Sequence, residues 1–383
     1  MILLKQAQVF APDDLGVLDV LMIHDRVVAM APELAPLELP GCPLQILDAQ
    51  DCLLVPGLVD PLVHLSGGGG EGGFDRRTPP LLAADAFASG VTTAIGCLGT
   101  DAITRSHADL LATVRGLRMQ GLNAYCLTGA YAIPAPTLTG SVERDLVLIP
   151  EIIGVGEVAL ADHRGSQPGW HELARLAADA RRGGLLAGKR GTVLVHLGDG
   201  EQPFALLETV LAQSELQRAA FLATHANRTA HTFEQAVNYA LERGNIDFTT
   251  STTQAFIAAG EVPAAEALVR ALRAGVSIEH MTFSSDGQAS LPAFNDDGEL
   301  VGVQIAAIGS LFEAFCQAVS EAQLPIEQAL KVVTQNPARL FGLADVGQLR
   351  PGTRADALLL DRDSLSLRAT IAGGRVVHDG MTA

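Results

Sequence analysis

Short apolar segments rich in β-branched residues alternate with amphipathic helical segments over about 290 residues of this chain. Such alternation is typical of a parallel sheet whose strands are joined by crossover helices. Eight strand-like segments occur, which favours a closed (β/α)8 TIM barrel over an open, doubly wound sheet. No GxGxxG motif follows the first strand, so a dinucleotide-binding fold has little support. The predicted strands are Leu58–Leu65, Val91–Leu98, Leu122–Thr128, Ile152–Leu160, Thr192–Leu197, Ala220–His225, Ile246–Ser251 and Val276–Ser285.

The two ends of the chain have a different pattern, in which short alternating strands are separated by turn residues. We predict that these ends pair with each other and form one small, discontinuous β-sandwich domain from residues 1–54 and 345–383. The barrel then occupies residues 55–344, and the overall class is α/β.

The composition indicates a large buried core, since 48% of the residues are hydrophobic and 18% are charged. The formal net charge of −17 argues against a nucleic-acid partner, which would require clustered lysine and arginine. The N-terminus has no signal-peptide pattern, and no apolar stretch reaches the roughly 18–20 residues of a membrane span. We therefore expect a cytoplasmic protein without membrane contact. The five cysteines form no CxxC pair and are interpreted as free, mostly buried thiols.

Polar residues stand at the carboxyl ends of several predicted strands, where TIM barrels carry their active sites. His64, His196 and His225 end strands one, five and six. Glu157 lies on strand four, and Asp286 follows strand eight. We expect these five side chains to meet at the open end of the barrel.

Each of these residues has a structural explanation when it is taken alone. A single histidine at a strand end is more often hydrogen-bonded than metal-bound, Glu157 could pair with an arginine, and Asp286 could form a turn. The combination of histidines and carboxylates at one end of the barrel favours a metal site. Two neutral imidazoles and one carboxylate hold Zn²⁺ and leave a position for water, and a nearby aspartate can then accept the water's proton.

The chain resembles the amidohydrolase superfamily over essentially its whole length. This resemblance is carried by PGLVDPLVHL at the first strand, TQNPARLFGL at the end of the barrel and PGTRADALLLD at the return to the small domain. Within the superfamily it is similar to the isoaspartyl dipeptidases, in HLSGGGGEGG (64–73), LGTD (98–101), LTGAYAIP (127–134), DHR (162–164), HLGD (196–199), THANR (224–228) and SSDGQAS (284–290). The resemblance implies a TIM-barrel hydrolase, a dipeptide substrate and a homo-oligomer.

The resemblance also implies roles for individual residues. His196 and His225 match the family's metal ligands, and Asp286 matches its proton-transfer residue. Glu71 matches the residue that receives the substrate's α-ammonium group. Tyr131 matches the tyrosine that polarises the scissile carbonyl or stabilises the oxyanion.

Arg164, Arg228 and Ser290 match positions that hold carboxylates, and Thr100 lines the same pocket. An isoaspartyl dipeptide carries one ammonium and two carboxylates, so one acid and two guanidinium groups suit it. The run Gly67–Gly70 ahead of the acid is interpreted either as a hinge that moves this loop over substrate or as a plain flexible turn.

Two positions depart from the family's pattern. The family has HxH on the first strand, whereas this chain has Leu-Val-His at 62–64, and Glu157 stands where the family has a carboxylated lysine. We therefore predict a zinc enzyme in which one ion is favoured and two are possible. Glu157, His196 and His225 would hold the ion, and His64 would be a weak ligand or a hydrogen-bond partner.

The predicted function is hydrolysis of the amide bond of β-aspartyl dipeptides. Two alternatives stay open at this point. The first is another amidohydrolase that acts on an N-acyl amino acid or a cyclic amide. The second, motivated by the leucine at position 62, is a paralogue that has lost its chemistry and keeps a ligand-binding pocket.

Overall fold

The computed structural model of the protein describes residues 1–294 and 300–380. Within the predicted domain ranges, residues 295–299 of the barrel and 381–383 of the small domain therefore lie outside the described residues.

The secondary structure follows the predicted alternation. The strands of the described residues are β1 (Ile2–Phe10), β2 (Asp14–Ile23), β3 (Arg26–Ala31), β4 (Gln45–Asp48), β5 (Cys52–Pro56), β6 (Leu58–Val63), β7 (Val91–Gly96), β8 (Asn123–Thr128), β9 (Ile152–Leu160), β10 (Thr192–Leu197), β11 (Phe221–Thr224), β12 (Asn245–Thr249), β13 (Met281–Ser284), β14 (Ser290–Phe294), β15 (Leu300–Ile305), β16 (Ala357–Asp361), β17 (Leu367–Ala372) and β18 (Arg375–Asp379). The helices are α1 (Ala83–Ala88), α2 (His107–Met119), α3 (Val142–Leu148), α4 (Trp170–Ala187), α5 (Ala205–Gln213), α6 (Ala230–Leu241), α7 (Gln254–Ala258), α8 (Ala264–Arg273), α9 (Ser310–Ser320), α10 (Ile326–Val333) and α11 (Gln335–Phe341). None of these helices combines the length and the apolar character that crossing a bilayer requires.

Strands from the two ends of the chain form one sheet, in the order β18-β17-β16-β5-β1-β2-β3 with β4 beside β1. The C-terminal strand β16 pairs antiparallel with β5 and so joins the two ends, as the sequence predicted. Leu4, Val20 and Leu359 are among the buried residues of this sheet, and they form a hydrophobic cluster of their own.

Strands β6 to β13 form a parallel sheet in which the strands follow one another in chain order, so all eight predicted barrel strands are confirmed. The barrel closes between its first and last strands. The backbone N–H of His64, which follows β6, donates a hydrogen bond of 2.8 Å to the carbonyl of Gly287, which follows β13. The eighth strand is shorter than predicted and begins at Met281. Ile278–His280 form a 3₁₀ turn instead, which the hydrogen bond from His280 N to Ser277 O closes.

Alternation along the barrel strands sends one set of side chains into the barrel interior and the other toward the helices. Leu62, Cys97, Leu127 and Leu194 belong to the interior cluster, which Phe341 of α11 joins. Leu62 is fully buried in this cluster. In the family that the sequence resembles, a histidine stands at this position, whereas in this chain the position belongs to an apolar core.

Hydroxyl side chains cap the beginnings of four of the described helices. Each accepts a hydrogen bond from the backbone N–H three residues later: Ser106 at α2, Ser141 at α3, Thr229 at α6 and Thr253 at α7. Such a cap contributes about 1 kcal/mol. These caps position the loops that leave the carboxyl ends of the barrel strands.

A prediction concerns Asp247, which lies in β12 and is fully buried. Burial raises its pKa from 3.8 to about 7, although the hydroxyl groups of Ser284, Thr282 and Thr224 oppose the rise. Because the pKa of Asp247 is higher in the folded protein than in the unfolded chain, its protonated carboxyl group contributes to the free energy of unfolding. This contribution is fully present below the unfolded-state pKa and is lost as the pH rises through about 7.

We therefore expect Asp247→Asn to gain stability relative to the wild type between about pH 4 and pH 8, by on the order of 4 kcal/mol. Urea unfolding of both proteins at several pH values measures this difference. Glu234→Gln, on the exposed face of α6, is the control and should follow the wild type. A difference between Asp247→Asn and wild type that does not change with pH would contradict the prediction.

Candidate metal centre

The predicted site residues surround one cavity of about 440 Å³ at the carboxyl ends of the barrel strands. This volume is within the usual range for small-molecule pockets. Glu157 lies directly behind the pocket wall, in contact with His196, and is 1% exposed. The predicted residues that line the pocket are His64, Glu71, Thr100, Tyr131, Arg164, His196, His225, Arg228, Asp286 and Ser290.

Glu157, His196 and His225 form a compact set of possible metal ligands, with one donor atom of each within 4.8 Å of the others. Glu157 Oε2 lies 3.1 Å from His196 Nδ1 and 3.6 Å from His225 Nε2. A tetrahedral ion with bonds of about 2.0–2.1 Å holds its ligand atoms about 3.3 Å apart. The three side chains therefore fit a divalent cation with little movement.

Hydrogen bonds on the far side of each imidazole determine which nitrogen is available to an ion. His196 Nε2 lies 3.0 Å from Asp162 Oδ2, and His225 Nδ1 lies 2.7 Å from Thr249 Oγ1. With a bound ion, these nitrogens would carry the protons, and His196 Nδ1 and His225 Nε2 would present lone pairs to the ion. Without an ion, the same two nitrogens contact Glu157 directly. Such outer partners orient metal-binding histidines and raise their basicity.

The ionisation states of this set suit metal binding. Burial alone would raise the pKa of Glu157, but the hydrogen bonds with His196 and His225 outweigh it and hold this pKa well below its usual value. Burial, reinforced by the positive charge of Arg228, lowers the pKa of His225 to about 4. At neutral pH the set therefore consists of an ionised carboxylate and an uncharged imidazole at position 225.

The backbone is in the left-handed region at two candidate residues, His225 with φ of 61° and Asp286 with φ of 51°. This conformation is uncommon for residues other than glycine and concentrates at functional sites. His225 directly follows β11 and Asp286 is the second residue after β13, and both side chains line the pocket. Asp286 Oδ1 then lies 3.2 Å from His64 Nε2.

Tyr131 is buried against the same ligand set, and its hydroxyl group lies 2.9 Å from His196 Nδ1. Burial and the nearby Glu157 carboxylate raise the pKa of Tyr131 well above its usual value. The phenol therefore keeps its proton at neutral pH and can donate a hydrogen bond into the pocket.

The charged residues at the pocket mouth are already paired with one another. Glu71 accepts hydrogen bonds from Thr100 Oγ1 at 2.6 Å and from Arg164 Nη1 at 3.3 Å. The remaining arms of Arg164 donate to Asp162, at 3.0 Å from Nε and 2.7 Å from Nη2. Arg228 lies 4.0 Å from the same aspartate.

Asp162 is a site residue to which the sequence analysis gave no role. Its carboxylate joins Arg164 to His196, and these hydrogen bonds outweigh burial and lower its pKa below the usual range. The sequence contained a signal, because this acid follows β9 by two residues and stands immediately ahead of the DHR histidine.

Cys97 is a second residue at the site that no sequence motif identifies. Its thiol is fully buried and lies 3.9 Å from His64 Nδ1 and 3.9 Å from Glu157 Oε1. Burial raises the pKa of this thiol to about 12. The signal in the sequence is its position directly after β7, since His64 stands directly after β6.

The glycine run before Glu71 packs closely against neighbouring backbone. A Cβ atom at Gly67 would lie 2.3 Å from the Thr78 carbonyl, and one at Gly69 would lie 2.5 Å from the Arg76 carbonyl. Both glycines also have φ in the left-handed region. Close packing and backbone conformation therefore explain why these positions require glycine.

Comparison with known proteins gives matches over the whole chain and over parts of it. A sequence profile described as the amidohydrolase family matches residues 208–383. A crystal structure of the β-aspartyl dipeptidase from the thermophilic, keratin-degrading Fervidobacterium islandicum AW-1, in complex with β-Asp-Leu, is 39% identical with a TM-score of 0.91. The alignment covers 99% of this chain and 96% of that chain. A second structure of that dipeptidase is 37% identical with a TM-score of 0.89, over 99% and 97% of the two chains.

Two curated relatives match only locally. An adenine deaminase from Methanothrix thermoacetophila is 42% identical over 52 residues, which is 14% of this chain and 9% of that protein. An N-acyl-D-glutamate deacylase from Alcaligenes xylosoxydans xylosoxydans is 43% identical over 63 residues, which is 16% of this chain and 13% of that protein. The chain therefore matches about a tenth of the length of these two relatives.

A prediction follows from the contact between Asp162 and His196. Asp162→Asn removes the charge that fixes the imidazole while keeping the size of the side chain. We expect the affinity for a divalent ion such as Zn²⁺ to fall by roughly 10–100-fold. Competition with a chromophoric chelator measures the Zn²⁺ affinity of the wild type and of the variant.

Asp199→Asn is the matched control, because Asp199 lines the same pocket but has no ion pair with a histidine among the described residues. Equal affinities in wild type and Asp162→Asn would show that this carboxylate does not support the ligand set.

Proposed function

The chain belongs to the amidohydrolase family and, within it, to the β-aspartyl dipeptidases, and on this premise we propose that it hydrolyses the amide bond of β-aspartyl dipeptides with the help of a bound divalent metal ion. The observation that carries this proposal is that one acid, Glu71, and two arginines, Arg164 and Arg228, line the mouth of a pocket whose far wall holds a metal-ligand set. The similar enzyme crystallised with β-Asp-Leu supports the substrate class.

The charges of the pocket complement those of the proposed substrate. The substrate's ammonium group would bind Glu71, and its carboxylates would bind Arg164 and Arg228. In this structure Glu71 and Arg164 neutralise each other at 3.3 Å. Substrate binding would exchange this one ion pair for pairs of each residue with the ligand, while Asp162 keeps the guanidinium of Arg164 in place.

Glu157, His196 and His225 would hold the metal ion, for which we propose zinc because two imidazoles and a carboxylate form a typical zinc ligand set. When bound, such an ion polarises the scissile carbonyl and lowers the pKa of water. The one-ion and two-ion forms are both compatible with this reaction.

The remaining steps use groups of the chain. Asp286 would accept a proton from the attacking water as the new C–O bond forms, and would transfer it to the leaving amine nitrogen as the C–N bond breaks. Tyr131 would donate a hydrogen bond to the carbonyl oxygen as negative charge develops there, since its raised pKa keeps the phenol protonated.

Hydrolysis of an N-acyl amino acid is a second candidate, because the local match to an N-acyl-D-glutamate deacylase favours it. Such a substrate has no ammonium group to pair with Glu71. The carboxylate of Glu71 would then stay without a positive charge from the substrate, so the charges of the pocket favour a β-aspartyl dipeptide over an N-acyl amino acid.

Three further expectations from the sequence belong to this proposal. We propose a homo-oligomer from the family resemblance, a cytoplasmic location from the five free cysteines, which suit a reducing compartment, and a division into a β domain (1–54 and 345–383) and a barrel domain (55–344). Size-exclusion chromatography with light scattering tests the first of these.

We expect the enzyme to cleave β-Asp-Leu and to leave α-Asp-Leu, N-acetylated amino acids and hydantoins uncleaved or nearly so. A chelator should abolish the activity. Asp286→Asn should lower kcat by roughly 10²–10⁴-fold, because the proton acceptor is lost. Steady-state assays by chromatography of the released amino acid measure both effects. Faster turnover of the N-acylated substrates than of β-Asp-Leu would favour the second candidate, and no turnover of any substrate with any divalent ion would indicate the paralogue without chemistry.

A further prediction concerns Glu71→Gln. We expect it to raise KM for β-Asp-Leu roughly 10–100-fold and to change kcat less, because a charge-assisted hydrogen bond to the ammonium group is lost. Asp75→Asn removes an exposed carboxylate from the same loop and should keep the wild-type KM. A fall in kcat at unchanged KM would contradict a role in substrate binding.

A further inference from the structure

The two oxygens of Glu157 face different groups of donor atoms. Oε2 lies near His196 and His225, which form the ligand set described above. Oε1 lies 3.5 Å from His64 Nε2 and 3.9 Å from Cys97 Sγ. One carboxylate therefore stands between two sets of possible ligands.

The second set is slightly less compact than the first but meets the same distance limit. His64, Cys97 and Glu157 are all buried, and one donor atom of each lies within 4.8 Å of the others. Bonds of about 2.3 Å to sulfur and about 2.0–2.1 Å to nitrogen or oxygen place such atoms about 3.3–3.6 Å apart. The observed separations of 3.5 and 3.9 Å are close to these values. Asp286 Oδ1, at 3.2 Å from His64 Nε2, is available on the pocket side.

The position of Cys97 relates it to the departure at Leu62. Both residues belong to the interior cluster of the barrel: Leu62 lies in β6, and Cys97 directly follows the neighbouring strand β7. Leu62 offers no ligand atom where the family has its first histidine. Cys97 offers a sulfur atom directly after the next strand, 3.9 Å from Nδ1 of the remaining histidine, His64.

The other fully buried cysteine shows that burial alone does not produce this arrangement. Cys126 lies in β8 and is 1% exposed, but it packs in the apolar cluster between the barrel and the helices. Among the described residues, no set of possible metal ligands includes Cys126. Among the described cysteines, only Cys97 combines a buried thiol with an imidazole and a carboxylate.

We propose that His64, Cys97 and Glu157 form a second divalent-metal position, in which the Cys97 thiolate takes the part of the missing histidine and Glu157 bridges the two ions. A thiolate ligand selects thiophilic ions such as Zn²⁺, Co²⁺ and Cd²⁺ over Mg²⁺ or Mn²⁺. The chain then holds two ions instead of the single ion that the leucine at position 62 led us to favour. The inference deepens the proposed metal-dependent function, but it is tested by metal binding alone.

The experiment loads the chelator-treated full chain with Co²⁺ and records the bound metal by mass spectrometry and the near-ultraviolet spectrum. The wild type should bind two equivalents and show a thiolate-to-cobalt charge-transfer band. Cys97→Ser and Cys97→Ala should lose this band and bind one equivalent. Cys126→Ser, the matched buried control, should keep both the band and the second equivalent.

A wild-type spectrum without a thiolate band would overturn the inference, and so would two equivalents bound by both Cys97 variants. The wild-type spectrum keeps the test decisive even when a variant does not fold. Activity is measured on the same preparations with β-Asp-Leu. A thiolate band without dipeptide hydrolysis would support the second metal position and reject the proposed substrate. Hydrolysis of β-Asp-Leu with one bound equivalent and no thiolate band would support the proposed substrate and reject the second metal position.

Discussion

The arrangement of the candidate centre depends on the burial of one carboxylate. Glu157 is 1% exposed, and an ionised carboxylate in such a place is destabilised by several kcal/mol unless donors surround it. His196, His225 and His64 come within 3.1–3.6 Å of its two oxygens from three different strand ends. The barrel satisfies this requirement because the carboxyl ends of its strands converge on a single mouth. A divalent cation would satisfy it more fully than neutral imidazoles can.

A line of hydrogen bonds connects this buried centre with the pocket mouth. Asp162 holds His196 on one side and Arg164 on the other, and Arg164 reaches Glu71. Asp162 thus orients both a proposed metal ligand, His196, and a proposed substrate-binding residue, Arg164. Binding of substrate charges at the mouth and the geometry of the metal ligands are therefore connected through one carboxylate, whose pKa is lowered because it is shared.

The fold and most of the candidate site could be predicted from the sequence because both depend on local patterns. All eight barrel strands were predicted, since each is a short apolar run bounded by turns. The error in strand eight arose where apolar and polar residues alternate from Val276 to Glu279, a pattern typical of a strand, although Ile278–His280 form a 3₁₀ turn. Asp162 and Cys97 were missed for a different reason. Their importance comes from contacts with residues that are distant in sequence, such as the 60-residue separation of Cys97 from Glu157.

The sequence by itself determined the strand and helix pattern, the family resemblance and the residue types at the strand ends. It also showed that a histidine is absent at position 62 and that a glutamate stands at position 157. Only the tertiary structure decided which atoms of these residues meet: that Glu157 presents one oxygen to each of two donor sets, that Asp162 lies between His196 and Arg164, and that Cys97 lies beside His64. The physical reason is that ligand and hydrogen-bond geometry depends on distances of a few ångströms between different strands, which barrel closure establishes and local sequence patterns do not specify.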